Sequence, residues 1–144
     1  MKNVHKTAIV GYTAEKMYAL VEDVEKYPEF LPWCIKTSLE PHCQDHTVSA
    51  TLFIDFHGLK HSFTTRNHNM PSTSISMILE KGPFKRLDGK WSFTPLPEGR
   101  SRVDLELNYE FSNRLFEKML APIFDMVSIT LVDSFHQRAR TVYG

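Results

Sequence analysis

Cysteine, glycine and excess charge are all scarce in this 144-residue chain, which has two cysteines, six glycines and seventeen basic against seventeen acidic residues, for a formal net charge of zero. Two cysteines, Cys34 and Cys43, exclude a disulfide scaffold, and a chain of this length can hold a core without one, so both are read as free thiols. Neutrality excludes a surface built throughout for nucleic acid, and DNA is not expected as a partner. No apolar run approaches the ~18 residues of a membrane span, and the start, Met1-Lys2-Asn3-Val4-His5-Lys6, lacks an apolar signal core. A cytoplasmic protein is the expectation. Repeats, linkers and low-complexity tracts are also missing, so residues 1–144 are read as one domain.

What is present is a globular composition, 42% hydrophobic and 12% aromatic, organised by two periods. Val4 to Val10 is β-compatible. Thr13 followed by Ala14-Glu15-Lys16 predicts an N-cap and a helix to about Glu22, with Met17, Leu20, Val21 and Val24 on its buried face. Pro28 and Pro32 allow at most a short helical turn before Trp33. From Ile35 to Phe111 the period is two. Ala50, Leu52, Ile54 and Phe56 alternate with polar residues, as do Ile75, Met77 and Leu79, and then Val103, Leu105, Leu107, Tyr109 and Phe111. Turn signals at His57-Gly58, Asn69 to Ser72, Gly82-Pro83 and Pro97 to Gly99 divide this stretch into about six antiparallel strands pairing as a meander. Ser112 or Asn113 then caps a helix running to about Val142, with Phe116, Leu120, Phe124, Val127, Leu131 and Phe135 on one stripe. Leu115, Met119, Ile123, Met126 and Ile129 widen its apolar arc, so this helix is expected to meet more than a flat sheet, and Pro122 is expected to kink it. A curved sheet around a long helix leaves a natural ligand cavity.

Catalytic signals are weak. His57 and His61 flank a hairpin turn rather than share a helix face, and Cys34, His42, Cys43 and His46 lack the paired short spacings of a zinc site, so no metal is expected. Nucleophile elbows, phosphate loops and HExxH are missing. Asp55, Glu80, Asp104, Glu106 and Glu110 alternate with apolar neighbours and point outward as a solvated face. Enzymatic chemistry would need a polar group inside the cavity, with Tyr109, Asn67 or Arg66 the candidates. Net neutrality is itself a cancellation: residues 1–59 carry five basic and eight acidic groups (−3), residues 60–102 eight and three (+5), and residues 103–144 four and six (−2). The middle stretch holds Lys81, Lys85, Arg86, Lys90, Arg100 and Arg102, a candidate patch for the phosphates of rRNA or of lipid headgroups.

Four ordered motifs carry a family resemblance. They are Val24-Glu25-Lys26-Tyr27-Pro28-Glu29-Phe30-Leu31-Pro32-Trp33-Cys34; Phe63-Thr64-Thr65-Arg66-Asn67; Gly82-Pro83-Phe84-Lys85-Arg86-Leu87 with Trp91-Ser92-Phe93-Thr94-Pro95-Leu96; and Val132-Asp133-Ser134-Phe135-His136-Gln137-Arg138-Ala139-Arg140. Together they resemble the START-like family, in the group of coenzyme Q-binding proteins and bacterial ribosome-association toxins once labelled oligoketide cyclases. The resemblance implies an α+β helix-grip fold, a curved antiparallel β-sheet of about seven strands wrapped around a long C-terminal helix, with two short helices after the first strand. It also implies a hydrophobic tunnel. The first expectation is a non-enzymatic protein that needs no cofactor, binds ubiquinone or another isoprenoid lipid and supports respiratory quinone function. Its expected wall residues are Leu31, Trp33, Phe56, Phe63, Phe93, Tyr109, Met119, Ile123, Phe124 and Val127. The alternative is a toxin that binds the large ribosomal subunit and inhibits translation initiation, and the third is a polyketide cyclase or aromatase. The chain shows no transit peptide like that of the mitochondrial members, so the expectation is a bacterial cytoplasmic protein, peripheral at the inner membrane where it makes transient contact with lipid.

Overall fold

The structure, a computed structural model, describes residues 1–56 and 58–144; the expected turn residue His57 lies outside the described residues. Seven strands form one antiparallel sheet: β1 (Lys2–Val10), β2 (Cys34–Pro41), β3 (Thr47–Phe56), β4 (Leu59–Met70), β5 (Ser74–Lys81), β6 (Phe84–Leu96) and β7 (Arg100–Phe111). Their spatial order is β1-β7-β6-β5-β4-β3-β2, a meander from β2 to β7 with β1 laid against β7. The sheet curves because strand register slips at three places, between Cys34 and Lys36, between Thr64 and Thr65, and between Phe84 and Arg86. Each slip is a bulge that bends its strand and increases local twist.

Between β1 and β2 lie α1 (Ala14–Glu22) and a 3-10 turn, Val24–Glu29. Thr13 caps α1 by accepting from the Lys16 amide at 3.2 Å. The long helix α2 (Arg114–Tyr143) starts at Asn113, whose Oδ1 accepts from the Phe116 amide at 2.9 Å. Ser112, the other candidate cap, is occupied elsewhere, since its amide and hydroxyl both donate to the Pro83 carbonyl, at 3.0 and 3.2 Å. The two residues therefore divide the work of fixing α2 to the β5–β6 turn.

The alternation read along β7 is the burial pattern: Val103, Leu105, Leu107, Tyr109 and Phe111 are all buried, on a strand against which both α1 and α2 pack. Phe84 and Phe124 meet at 4.8 Å between ring centroids with planes 70° apart, and Phe124 also meets Phe63, Tyr109 and Phe111. Such edge-on contacts add about 0.5–1.5 kcal/mol per pair beyond simple burial. At the other end of α2, Arg138 bonds Glu29 at 3.0 Å and lies over the Phe30 ring, 4.9 Å from its centroid, which ties the 3-10 turn to the helix.

α2 contains the expected proline and the expected wide apolar arc. The helix continues through Pro122, an exposed position where solvent can meet the carbonyl that proline leaves without a donor. Its apolar arc meets more than the sheet, as expected, since Tyr27 and Phe30 pack edge-on against Phe135 and Tyr143 reaches α1, while Leu115, Met119 and Ile129 remain 65%, 36% and 49% exposed.

Candidate functional site

A cavity of about 80 Å³ lies between α2 and the concave face of the sheet. It sits where small residues, Ala50 on β3 and Gly89 on β6, leave the middle of their strands unfilled. Gly89 is required there: a Cβ would come within 2.6 Å of Leu107 Cδ2, 3.0 Å of Met77 Cε and 3.0 Å of the Glu106 carbonyl oxygen. The walls are apolar, with Trp33 and Trp91, the only two tryptophans of the chain, facing Phe135, Leu131 and Val127 of α2.

Four of the ten expected wall residues, Trp33, Phe63, Phe124 and Val127, line this cavity. The other six lie around it. Leu31 and Ile123 are buried in the surrounding core, Phe93 packs toward α1 with its ring 5.8 Å from Tyr18, and Met119 is on the outer side of α2. Phe56 is half-buried at the end of β3. Tyr109 is 1% exposed but spends its hydroxyl on Asp125 Oδ1 at 2.6 Å, away from the cavity. Burial, and then that carboxylate, push the Tyr109 phenol up to about 12. Strand alternation reports which face a residue occupies, not how far along the helix it lies, so Trp91, Phe135, Leu87 and Leu107 were inward-facing positions that escaped assignment to the wall. The small residues Ala50 and Gly89 were the available signal.

The three polar candidates separate cleanly. Arg66 faces outward and pairs with Glu80 at 3.6 Å, Tyr109 is bound to Asp125, and Asn67 lines the cavity. Thr65 stands beside Asn67 on the same face of β4 and donates to its Oδ1 at 2.6 Å. Both side chains are buried. Tyr27, another wall residue, turns its hydroxyl to the Val21 carbonyl.

On the outer face, Ser49 donates to Glu80 and lies 2.6 Å from His42 Nε2. The Ser49 hydroxyl, helped by Arg66 and His42, holds the Glu80 carboxyl below the usual carboxylate range. The serine proton is committed to the carboxylate, so this trio ties β3 to β5 rather than arming a nucleophile. Among the described residues no group of three His, Cys, Asp or Glu side chains comes together as a metal site. Cys34 is buried at the start of β2, apart from His42, Cys43 and His46 around the β2–β3 turn.

The six basic residues are spread along the outer ribbon. Arg100 pairs in register with Leu96, ten positions along β6 from Arg86, or roughly 33 Å at ~3.3 Å per residue. Arg86 meets Asp88 at 2.9 Å, Arg102 meets Asp104 at 3.1 Å and Lys85 meets Glu110 at 3.5 Å. Arg100 donates to the Pro97 carbonyl at 3.2 Å. A second grouping is visible only in the fold. The Lys81–Lys85 turn contacts Ser112 just before α2, and His61 stacks edge-on against Phe116 at 5.8 Å. Lys60, Lys81, Lys85, Arg114 and Lys118 therefore come from three separate segments that meet at one end of the molecule. Of these, only Lys85 forms an ion pair among the described residues.

Among the described residues no helix is long and apolar enough to cross a membrane. The sequence profile described as polyketide cyclase/dehydrase and lipid transport matches residues 10–136. The chain is 42% identical over 144 residues to the ribosome association toxin RatA of Vibrio cholerae, covering 100% of this chain and 99% of that one. It is 26% identical to the coenzyme Q-binding protein COQ10 homolog B, mitochondrial, of Xenopus laevis, over 96% of this chain and 58% of that one. A START superfamily protein of Mycobacterium smegmatis superposes with a TM-score of 0.79 at 20% identity, covering 97% of this chain and 98% of that one, which shows the shared fold. With its profile match over residues 10–136, the chain belongs to the polyketide cyclase/dehydrase and lipid transport family, and it has the helix-grip fold of the START superfamily structure.

Proposed function

We propose that this protein associates with the large ribosomal subunit and inhibits translation initiation. The observation that carries the reading is the 42% identity, over essentially the full length of both chains, to a protein named for ribosome association. This reverses the order of the two leading expectations from sequence. The physical footing for rRNA is the end where Lys60, Lys81, Lys85, Arg114 and Lys118 meet, because four of these five cations make no ion pair among the described residues. Half of the sequence-contiguous patch, by contrast, is neutralised by Asp88, Asp104 and Glu110. Such a protein works in the cytoplasm, where its partner is. The test is co-sedimentation with purified large subunits across a salt series. Binding should weaken as salt rises, and the combined Lys81→Glu, Lys85→Glu, Arg114→Glu and Lys118→Glu variant should lose it, since each phosphate contact contributes about 0.7–0.9 to the slope of log K against log salt. Undiminished sedimentation of that folded variant would refute this footing.

A second reading is favoured by the cavity: the protein holds a small hydrophobic molecule with a quinone-like ring. Trp33, Trp91 and Phe135 offer flat apolar walls, and the Xenopus relative is named for coenzyme Q binding. At about 80 Å³ the space is well below the ~300–1,000 Å³ of drug-sized ligand sites, so it suits part of a ring and not a polyprenyl tail. Native mass spectrometry of freshly purified protein should show a bound neutral lipid or quinone; protein that is empty and ignores added ubiquinone would remove this reading.

A further inference from the structure

We propose that Asn67 is the polar anchor of the cavity, and that the molecule it selects is neutral, flat, about one ring in size, and carries a carbonyl oxygen. The inference rests on the second reading above, that the cavity takes a ligand at all, and adds the chemistry by which it chooses one.

Asn67 is 6% exposed and faces an otherwise apolar space. A carboxamide that is buried without partners costs on the order of 1–3 kcal/mol, so such groups are normally satisfied. Here half of it is satisfied. The Thr65 hydroxyl lies 2.6 Å from one side-chain atom of Asn67, a separation in the O–H···O range and short for an N–H···O bond, which assigns that atom as the oxygen and Thr65 as the donor. The amide nitrogen, with two protons, has no hydrogen-bond partner among the described residues, and the residue that carries it lines the cavity. Thr65 thus holds Asn67 as a donor, and a donor selects an acceptor.

The rest of the cavity narrows the class. The ionisable residue at its edge, Asp88, has its carboxylate taken by Asn108 at 2.9 Å and Arg86 at 2.9 Å on the outer face, which leaves no charge to match a charged ligand. Trp33 and Trp91 are rigid flat walls. A dry cavity of about 150 Å³ admits benzene, so one ring can enter this smaller space if a wall gives. Met77, half-buried and unbranched, is the wall best able to do so.

The test compares two probes of similar shape, acetophenone and isopropylbenzene, by the change in tryptophan fluorescence, which here arises wholly from cavity walls, with calorimetry as a check. The quantity read is the ratio of the isopropylbenzene Kd to the acetophenone Kd. One hydrogen bond, about 1 kcal/mol net, is about a fivefold effect, so Asn67→Leu should lower that ratio about fivefold. Thr65→Val, which frees the amide to turn, should lower it by less, and it carries the test alone if Asn67→Leu does not fold. A ratio unchanged in both variants, with both probes bound, overturns the anchor while leaving the cavity a binding site. Failure of the wild-type protein to bind either probe overturns the anchor together with the reading on which it rests.

Discussion

Replacing Tyr109 with Phe isolates one hydrogen bond that joins β7 to α2. The ring keeps its place, packed edge-on against Phe111 at 5.8 Å and Phe124 at 5.5 Å. What is lost is the hydroxyl that donates to Asp125 at 2.6 Å. Bonds to charged groups contribute about 1.5–3 kcal/mol. The low end applies, because the Asp125 side chain is 39% exposed and water can take the vacated position. Ser128 adds little: it stands 3.4 Å from the phenol and already donates to the Phe124 carbonyl at 2.7 Å. The expected loss is about 1.5 kcal/mol at pH 7, or about 4–5 °C in Tm for a chain of this size. A second signature lies at alkaline pH. The native phenol is pushed up to about 12 from the ordinary 10.0, so between these values the unfolded chain gives up its proton while the native chain keeps it. The stability supplied by the pair is therefore complete below pH 10 and is lost as pH rises toward 12, and the gap between wild type and variant should narrow over that window. Urea melts at pH 7, 9 and 11 measure both effects. Equal stability at pH 7, or a gap that stays constant to pH 11, would refute the assignment. Because this hydroxyl points away from the cavity, acetophenone binding should be unchanged in the variant, in contrast to the loss expected of a cavity acid in a cyclase.

Three further outcomes are expected. Gly89→Ala should destabilise the fold by about 1–2 kcal/mol through overpacking and weaken acetophenone binding, since its Cβ would crowd Met77 and Leu107 at 3.0 and 2.6 Å; unaltered melting and binding would show that the floor of the cavity gives way freely. In native protein one thiol per chain should react quickly with an aromatic disulfide reagent, the exposed Cys43, while Cys34, buried and pushed up to about 11, reacts only on unfolding; two fast thiols would contradict the burial of Cys34. The Asn108 amide and the Arg86 guanidinium hold the Asp88 carboxyl below its usual range, so its contribution is present at neutral pH and is lost as pH falls through the acid range. Asp88→Asn should flatten the acid limb of a stability–pH profile between pH 5 and 3, and superimposable limbs would refute that role.

The helices and strands were legible because their causes are local. Thr13 caps α1 through a residue three positions away, and Asn113 does the same for α2. The alternation along β7 needed only one buried face, and the order of turns needed only short connections to give the meander. The family motifs, spread from Val24 to Arg140, pointed to the helix-grip architecture that the structure has. Site assignments travelled less well. Phe93 and Phe63 both face inward, yet Phe93 packs toward α1 and only Phe63 reaches the cavity. Alternation fixes the face of a strand, whereas a wall residue must also lie at the depth where small side chains opposite leave space.

Charge shows the same division. The sequence by itself determined that this is a neutral chain of curved antiparallel sheet and long helix, with a basic middle, because composition, period and capping act over a few residues. Only the tertiary structure decided which charges and which polar groups are free. Arg86, Arg102 and Lys85 lie close together in the chain but are matched by acids brought alongside them, two on their own strands and one on the neighbouring strand. Lys60, Lys81, Arg114 and Lys118 come together from distant segments. Arg66, Asn67 and Tyr109 were equal candidates until register and packing turned the first to solvent, bound the third to Asp125, and left Asn67 lining the cavity with Thr65 its one side-chain partner among the described residues. The Asp88 and Asp104 partners of Arg86 and Arg102 are two residues away in the chain, but the partners of Lys85, Arg66 and Tyr109 lie on other elements and are set by long-range pairing that no local pattern encodes.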